Sequence, residues 1–101
     1  MKIIIDQNSI DLKLTNDDLL HLRDHGYVKS ESEFPTQKLI IYVEVKDNQD
    51  LRADFTEAGI IVYLPADYLE QLKSSFKIGF KSRFRSLDIT LEKILPQKLK
   101  S

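Results

Sequence analysis

The sequence predicts a β-rich α+β fold: a ββαββ unit used twice with pseudo-twofold symmetry, forming a small barrel or a two-layer sheet with two short helices. Three observations lead there. The stretch Ala58–Leu72 repeats Asn8–Leu22 at an offset of fifty, with five of fifteen positions identical (Ile10/Ile60, Leu14/Leu64, Asp17/Asp67, Leu19/Leu69, Leu22/Leu72). Chance alone gives roughly one match, since each residue type makes up about a twentieth of average composition. Within each stretch apolar residues alternate and then switch to a spacing of three, the pattern of a strand running into a helix. Finally, Leu87, Ile89 and Leu91 match Leu39, Ile41 and Val43 at an offset of forty-eight, with the two-residue change placed in the loop before that last strand. The repeats therefore span about 2–45 and 52–93 of one domain, 1–101. Each half has one apolar face that it cannot bury alone, so the two halves are expected to face each other. Closure into a barrel removes exposed sheet edges.

In chain order, Ile3–Ile5 reads as a short strand and Asp6–Ser9 as a polar turn. Ile10, Leu12 and Leu14 then alternate with Asp11 and Lys13, a half-buried strand. Thr15 or Asn16 can cap the helix that follows, Asp17 and Asp18 favour its positive end, and Gly26 can end it in a left-handed conformation. Tyr27 to Phe34 is a weak polar strand closed by Pro35, which suits an edge. Leu39, Ile41, Val43 and Val45 alternate with Ile40, Tyr42 and Glu44, a strong strand signal, and Lys46–Asp50 is a turn between repeats. In the second repeat Leu51–Phe55 is a strand, Thr56–Gly59 a turn, and Ile60, Val62 and Leu64 an inward face. Pro65 is expected at the first helical position, where its missing N–H costs nothing, and the helix at about Ala66–Ser74. Phe76, Ile78 and Phe80 are expected in the next strand, Leu87–Leu91 in the last, and 96–101 as a basic tail.

With 101 residues, 42% hydrophobic and 31% charged, the chain has the composition of an ordinary globular domain. It contains no cysteine, which excludes disulfides, thiolate metal sites and a cysteine nucleophile. The apolar run near Met1 is far too short for a signal-peptide core or a membrane span, so a cytoplasmic protein is expected. Residues 1–50 carry six basic and ten acidic side chains and residues 51–101 nine and six, an asymmetry expected to give the two repeats opposite electrical faces.

Four groups of residues are candidates for function. Ile40, Tyr42, Ile61 and Tyr63 lie on the sides of their strands opposite the inward sets, where a one-sided sheet should be polar. Either the helices cover them or they form an apolar, tyrosine-rich patch of the kind that marks protein interfaces, which Tyr68 extends. Lys73, Lys77, Lys81, Arg83 and Arg85 fall in an acid-free window interleaved with Phe76, Phe80 and Phe84, a combination that can pair phosphates and stack bases, unless the phenylalanines face the core. His21 and His25 are four apart beside Asp17 and Asp18, a spacing metal ligation can use, but a solvated helix face fits the helical charge patterning better. Asp17 and Asp67 occupy equivalent places where a carboxylate pair is conceivable and helix capping is expected. With three glycines and no nucleophile elbow there is no catalytic or phosphate-loop motif.

Met1-Lys-Ile, Asn8-Ser-Ile-Asp-Leu-Lys-Leu-Thr15, Gly26 and Leu91-Glu-Lys93 together resemble a family of small bacterial proteins of unknown function across most of the chain. That resemblance implies no activity. The order strand, strand, helix, strand, strand, with Gly59 in a turn and Pro65 at the helix start, is similar to the swapped-hairpin barrels of transition-state regulators and MazE-type antitoxins. This likeness implies a dimer that binds DNA. The expectation drawn from the residues is a non-enzymatic module without cofactor or metal that binds a protein partner or a second copy of itself. The alternative is a nucleic-acid-binding regulator that uses residues 73–85.

Overall fold

The computed structural model describes residues 1–47, 50–74 and 78–94. The elements run β1 (Lys2–Asp6), β2 (Ser9–Leu14), α1 (Asn16–His25), β3 (Tyr27–Glu33) and β4 (Lys38–Lys46), then β5 (Arg52–Thr56), β6 (Gly59–Pro65), α2 (Ala66–Lys73), β7 (Gly79–Phe84) and β8 (Leu87–Lys93). The fold is α+β and strand-rich, with two four-stranded sheets. The first has the order β1-β2-β8-β7 and the second β3-β4-β6-β5. Each sheet thus takes one hairpin from each half of the chain. The hairpins are joined across the middle by parallel pairing, β2 to β8 and β4 to β6.

The registers of these central pairs correspond. Ile10 lies opposite Ile89 and Leu12 opposite Leu91, and at the equivalent positions Ile60 lies opposite Ile41 and Val62 opposite Val43. The outer hairpins refine the spacing expected from sequence. Tyr27 pairs with Glu44 as Gly79 pairs with Glu92, so the offset is 52 at β3/β7 and 48 at β4/β8. The length change is therefore split: two residues are added before β7 and four are removed from the β7–β8 turn. Loops absorb both because no ladder hydrogen bond depends on them.

Inward-facing side chains from both sheets meet the helices in one core. Leu12, Leu14, Leu22, Leu51, Leu64, Leu72, Ile89, Leu91, Val43 and Val62 are essentially inaccessible, and Leu19 and Leu69 complete the helical contribution. The helices pack on each other and on the strands next to the Leu14 and Leu64 ends, and so close one end of the two-sheet sandwich. At α1 the expected cap forms: Thr15 Oγ1 accepts from Asp18 N–H, and Asp18 Oδ2 accepts from Thr15 N–H at 2.8 Å. Gly26 ends the helix at φ 82° and donates to the Leu22 carbonyl.

Four expectations need correction. Pro65 is the N-cap of α2 and still part of β6, because its fixed φ of −58° suits the end of a strand as well as the start of a helix. Asp17 and Asp67 make no capping bond: Thr15 and Asp18 cap α1, and α2 has no side-chain cap. Of the strand expected at Phe76, Ile78 and Phe80, β7 (Gly79–Phe84) contains Phe80 but not Ile78, which is exposed, and Phe80 and Phe84 pack against the core. A Cβ at residue 79 would stand 2.7 Å from the Glu92 Cβ, so glycine allows β7 to start close against β8. Because each sheet draws on both halves, the charge difference between the halves is spread over both sheets and does not separate two faces. Phe76 and the tail 96–101 lie outside the described residues.

Candidate functional site

The pairing register defines the outer face of the second sheet. Tyr27, Lys29 and Glu31 come from β3, Ile40, Tyr42 and Glu44 from β4, Ile61 and Tyr63 from β6, and Arg52 and Asp54 from β5. Tyr42 stands between Lys29 and Ile61, and Tyr63 between Glu44 and Arg52. Ile40, Tyr42, Ile61 and Tyr63 are half-buried, as expected on central strands flanked by neighbours, and Tyr27 is 39% exposed. The helices do not form a layer over this face. Their leucines join the core on the other side of the sheet, and His21 touches the rim, where its ring meets Tyr27 edge-on at 5.4 Å. An open depression of about 390 Å³ is lined by Tyr27, Lys29, Tyr42, Glu44, Ala58 and Ile61. The rim carries both charge signs. Glu31 lies 3.0 Å from Lys29 and 3.5 Å from Lys38, and the Lys29 hydrogen bond holds the Glu31 carboxyl below its ordinary range.

The first sheet provides an internal comparison. Its outer face has the same backbone positions, with Asp11 at the place of Ile61, Lys13 at that of Tyr63, Asp88 at that of Ile40 and Thr90 at that of Tyr42. There the side chains form an ionic lattice: Lys13 lies 2.9 Å from Glu92 and 3.6 Å from Asp11, and Arg83 lies 3.5 Å from Asp88. Burial, together with the neighbouring Glu92 carboxylate, pushes the Asp11 carboxyl up, and its Oδ1 is a buried acceptor without a partner. The fold therefore tolerates charges at these positions, and the isoleucines and tyrosines of the second sheet are not required for strand formation.

Tyr68 lies apart from this face. It sits on α2, stacked on Phe80 with ring centroids 3.9 Å apart and an interplanar angle of 8°, and its hydroxyl donates to Asp50 Oδ1 at 2.8 Å. Ser82 Oγ donates to the same carboxylate oxygen, and these bonds, Ser82 first, hold the Asp50 carboxyl below its ordinary range.

The basic residues do not form one strip. Lys73 is at the helical end of the molecule, 3.2 Å from Glu70, while Arg85 is in the β7–β8 turn at the other end with its guanidinium over the Phe84 ring. Lys81 and Arg83 share the outer face of the first sheet with Asp11, Asp88 and Glu92, and Lys77 lies outside the described residues. His21 and His25 come together, ring centroids 4.4 Å apart, but His21 Nδ1 is already 2.7 Å from the Tyr27 carbonyl oxygen. Among the described residues no group of three or more His, Asp or Glu side chains is arranged to hold a metal ion. Nor is any helix among them long and apolar enough to cross a membrane.

The part of Tyr27 in this face was not anticipated. The signal was a period of two across an antiparallel partner, weak because Lys29 and Glu31 follow it. The contrast between the two outer faces, by comparison, is readable from the repeat offsets alone.

The model of a family of unknown function, DUF7009, matches residues 1–96. The chain belongs to that family. No curated protein and no solved structure matches the chain.

Proposed function

We propose that this DUF7009 protein is a non-enzymatic interaction module. It docks a protein partner, a second copy being the first to test, on the outer face of the second sheet through Ile40, Tyr42, Ile61 and Tyr63, with Tyr27 at the rim. The observation that carries this reading is the contrast between two equivalent faces. One backbone arrangement bears Asp11, Lys13, Asp88 and Thr90 in the first sheet and Ile61, Tyr63, Ile40 and Tyr42 in the second. Aromatic and aliphatic groups at the centre with charges outside is the composition of protein interfaces. The mixed signs of Lys29, Glu31, Glu44, Arg52 and Asp54 suit a self-complementary contact about a twofold axis. The two halves are read as copies of one ββαββ unit. Their likeness to swapped-hairpin barrels supports a binding role.

The test is sedimentation over a concentration series for the wild type and for the double variant Tyr42→Ser/Tyr63→Ser, with a tagged pull-down in the presence and absence of nuclease. The expected result is association that survives nuclease and drops by at least about tenfold in the variant, since two tyrosines at the centre of the proposed contact are lost. A folded double variant that binds as the wild type does overturns this reading. Enrichment that vanishes with nuclease transfers the function to Lys81 and Arg83.

A further inference from the structure

The end of the sandwich opposite the helices is open. There the inward side chains Ile10 and Ile60, which occupy equivalent positions in the two halves, form the floor of a cavity of about 480 Å³. Phe84 and Leu87 wall it from the first sheet and Ala53 from the second, while Ile5 and Phe55, again an equivalent pair, stand at the rim 56% and 77% exposed. The volume is within the range of small-ligand sites, which are largely apolar with a few polar groups that orient the ligand. An exposed phenylalanine and isoleucine facing each other across a concave apolar space leave a contact unmade, and burial of this surface is favourable by about 25 cal/mol per Å².

The polar groups at the mouth are unevenly placed. Gln7, in the β1–β2 turn, and Arg85, in the β7–β8 turn, both belong to the first sheet, and both hold positive φ, 52° and 60°, conformations that non-glycine side chains rarely adopt. Arg85 is the cation lining the cavity. Its guanidinium sits 5.5 Å from the centroid of Phe84, whose ring also carries Arg52 at 5.2 Å. Among the described residues Arg85 has no carboxylate within ion-pair distance. The acid at the mouth, Asp54, is on the second sheet and repels an anion from that side.

We infer that this mouth is a binding site for a small amphiphilic carboxylate, with the apolar body between Ile10, Ile60, Phe55 and Phe84 and the carboxylate on Arg85, assisted by the Gln7 amide. The planar guanidinium fork matches a carboxylate in two parallel hydrogen bonds. The cavity meets the outer face of the second sheet at strand β5, but none of Ile40, Tyr42, Ile61 and Tyr63 lines it, so either can fail without the other.

The experiment is a methyl-detected NMR titration of the full chain with decanoate below its micelle-forming concentration, with 1-decanol and decyltrimethylammonium as matched probes. Saturable shifts are expected at Ile5, Ile10, Ile60 and Leu87, with decanoate bound at least about tenfold more tightly than decanol, as a charge-assisted hydrogen bond implies. Arg85→Asn keeps a residue that tolerates positive φ, and it is expected to abolish the preference for decanoate while leaving decanol binding intact. Three outcomes overturn the inference: no saturable shift at these methyls, equal binding of all three probes, or unchanged decanoate affinity in folded Arg85→Asn. Shifts at these methyls that follow protein concentration without any probe do the same, since a second copy then fills the mouth.

Discussion

The carbonyl oxygen of Ile40 stands where a β-carbon on residue 59 would come within 2.1 Å of it, and Gly59 holds φ 129°. This approach joins β6 to β4 at the start of the parallel pairing that makes the second sheet. Gly59→Ala is expected to cost about 3 kcal/mol through steric overlap and backbone strain. Gly26 also has positive φ, but nothing lies within 4 Å of its missing side chain. Gly26→Ala should cost only about 1 kcal/mol. Urea midpoints of the two variants check the ranking.

Asp11 and Glu92 are like charges across the central pair of the first sheet, with Lys13 between them. The folded carboxyl of Asp11 is raised above its ordinary value of 3.8, by burial first and by Glu92 second. A raised carboxyl contributes stability at low pH that is lost as pH climbs through its folded value. Asp11→Asn is therefore expected to raise the melting temperature at pH 7, by an amount equivalent to about 1 kcal/mol, because it removes the buried charge facing Glu92 and its amide can donate to that carboxylate. The gain should vanish below pH 3.8.

Burial raises the Asp18 carboxyl, but its bonds to Thr15 and to the Met1 ammonium, 3.0 Å from Oδ2, outweigh that effect and leave it below 3.8. A lowered carboxyl contributes stability above the unfolded value that is lost as pH falls through the folded one. Thr15→Ala is expected to cost about 1 kcal/mol at pH 7. Asp18→Asn should remove part of the fall in stability below pH 3.8, which acid titrations followed by circular dichroism can read.

Tyr68→Phe removes the hydroxyl that donates to Asp50 and keeps the ring on Phe80. It should lower stability by about 1.5–3 kcal/mol, the range for a hydrogen bond to a charged group. Because Tyr68 is not on the outer face of the second sheet, association mediated by Tyr42 and Tyr63 should be unchanged. Sedimentation of the folded variant checks this.

The parts of the fold that depend on local periodicity were legible in the sequence. Ile10, Leu12 and Leu14 announce their strand, Leu19 and Leu22 the buried stripe of α1, and Thr15 and Gly26 its two ends. What could not be read depends on contacts between distant segments. Nothing near Leu12 specifies Leu91 as its neighbour, so the exchange of hairpins between the sheets has no local signature. The strand at Gly79–Phe84 was displaced in the sequence reading because Phe76, Ile78 and Phe80 also alternate, and alternation alone does not select a register. The basic residues at 73–85 were grouped by sequence distance, whereas Lys73 ends α2 at one end of the molecule, Lys81 and Arg83 lie along β7, and Arg85 is in the turn at the other end. Ile40, Tyr42, Ile61 and Tyr63 share a face because β4 and β6 pair in parallel, a relationship that the strand patterns permit and that the register decides.

The pairing of Leu12 with Leu91 and of Lys13 with Glu92 also sets an order of events during synthesis. When β2 leaves the ribosome its partner strand has not been translated, and most of the chain must emerge before the first sheet has its middle. The second sheet, whose four strands lie between Tyr27 and Pro65, can be completed much earlier. The nascent chain therefore carries β1 and β2 as an unpaired hairpin for most of its translation, and the apolar side of Ile10, Leu12 and Leu14 is the surface a ribosome-associated chaperone would meet first.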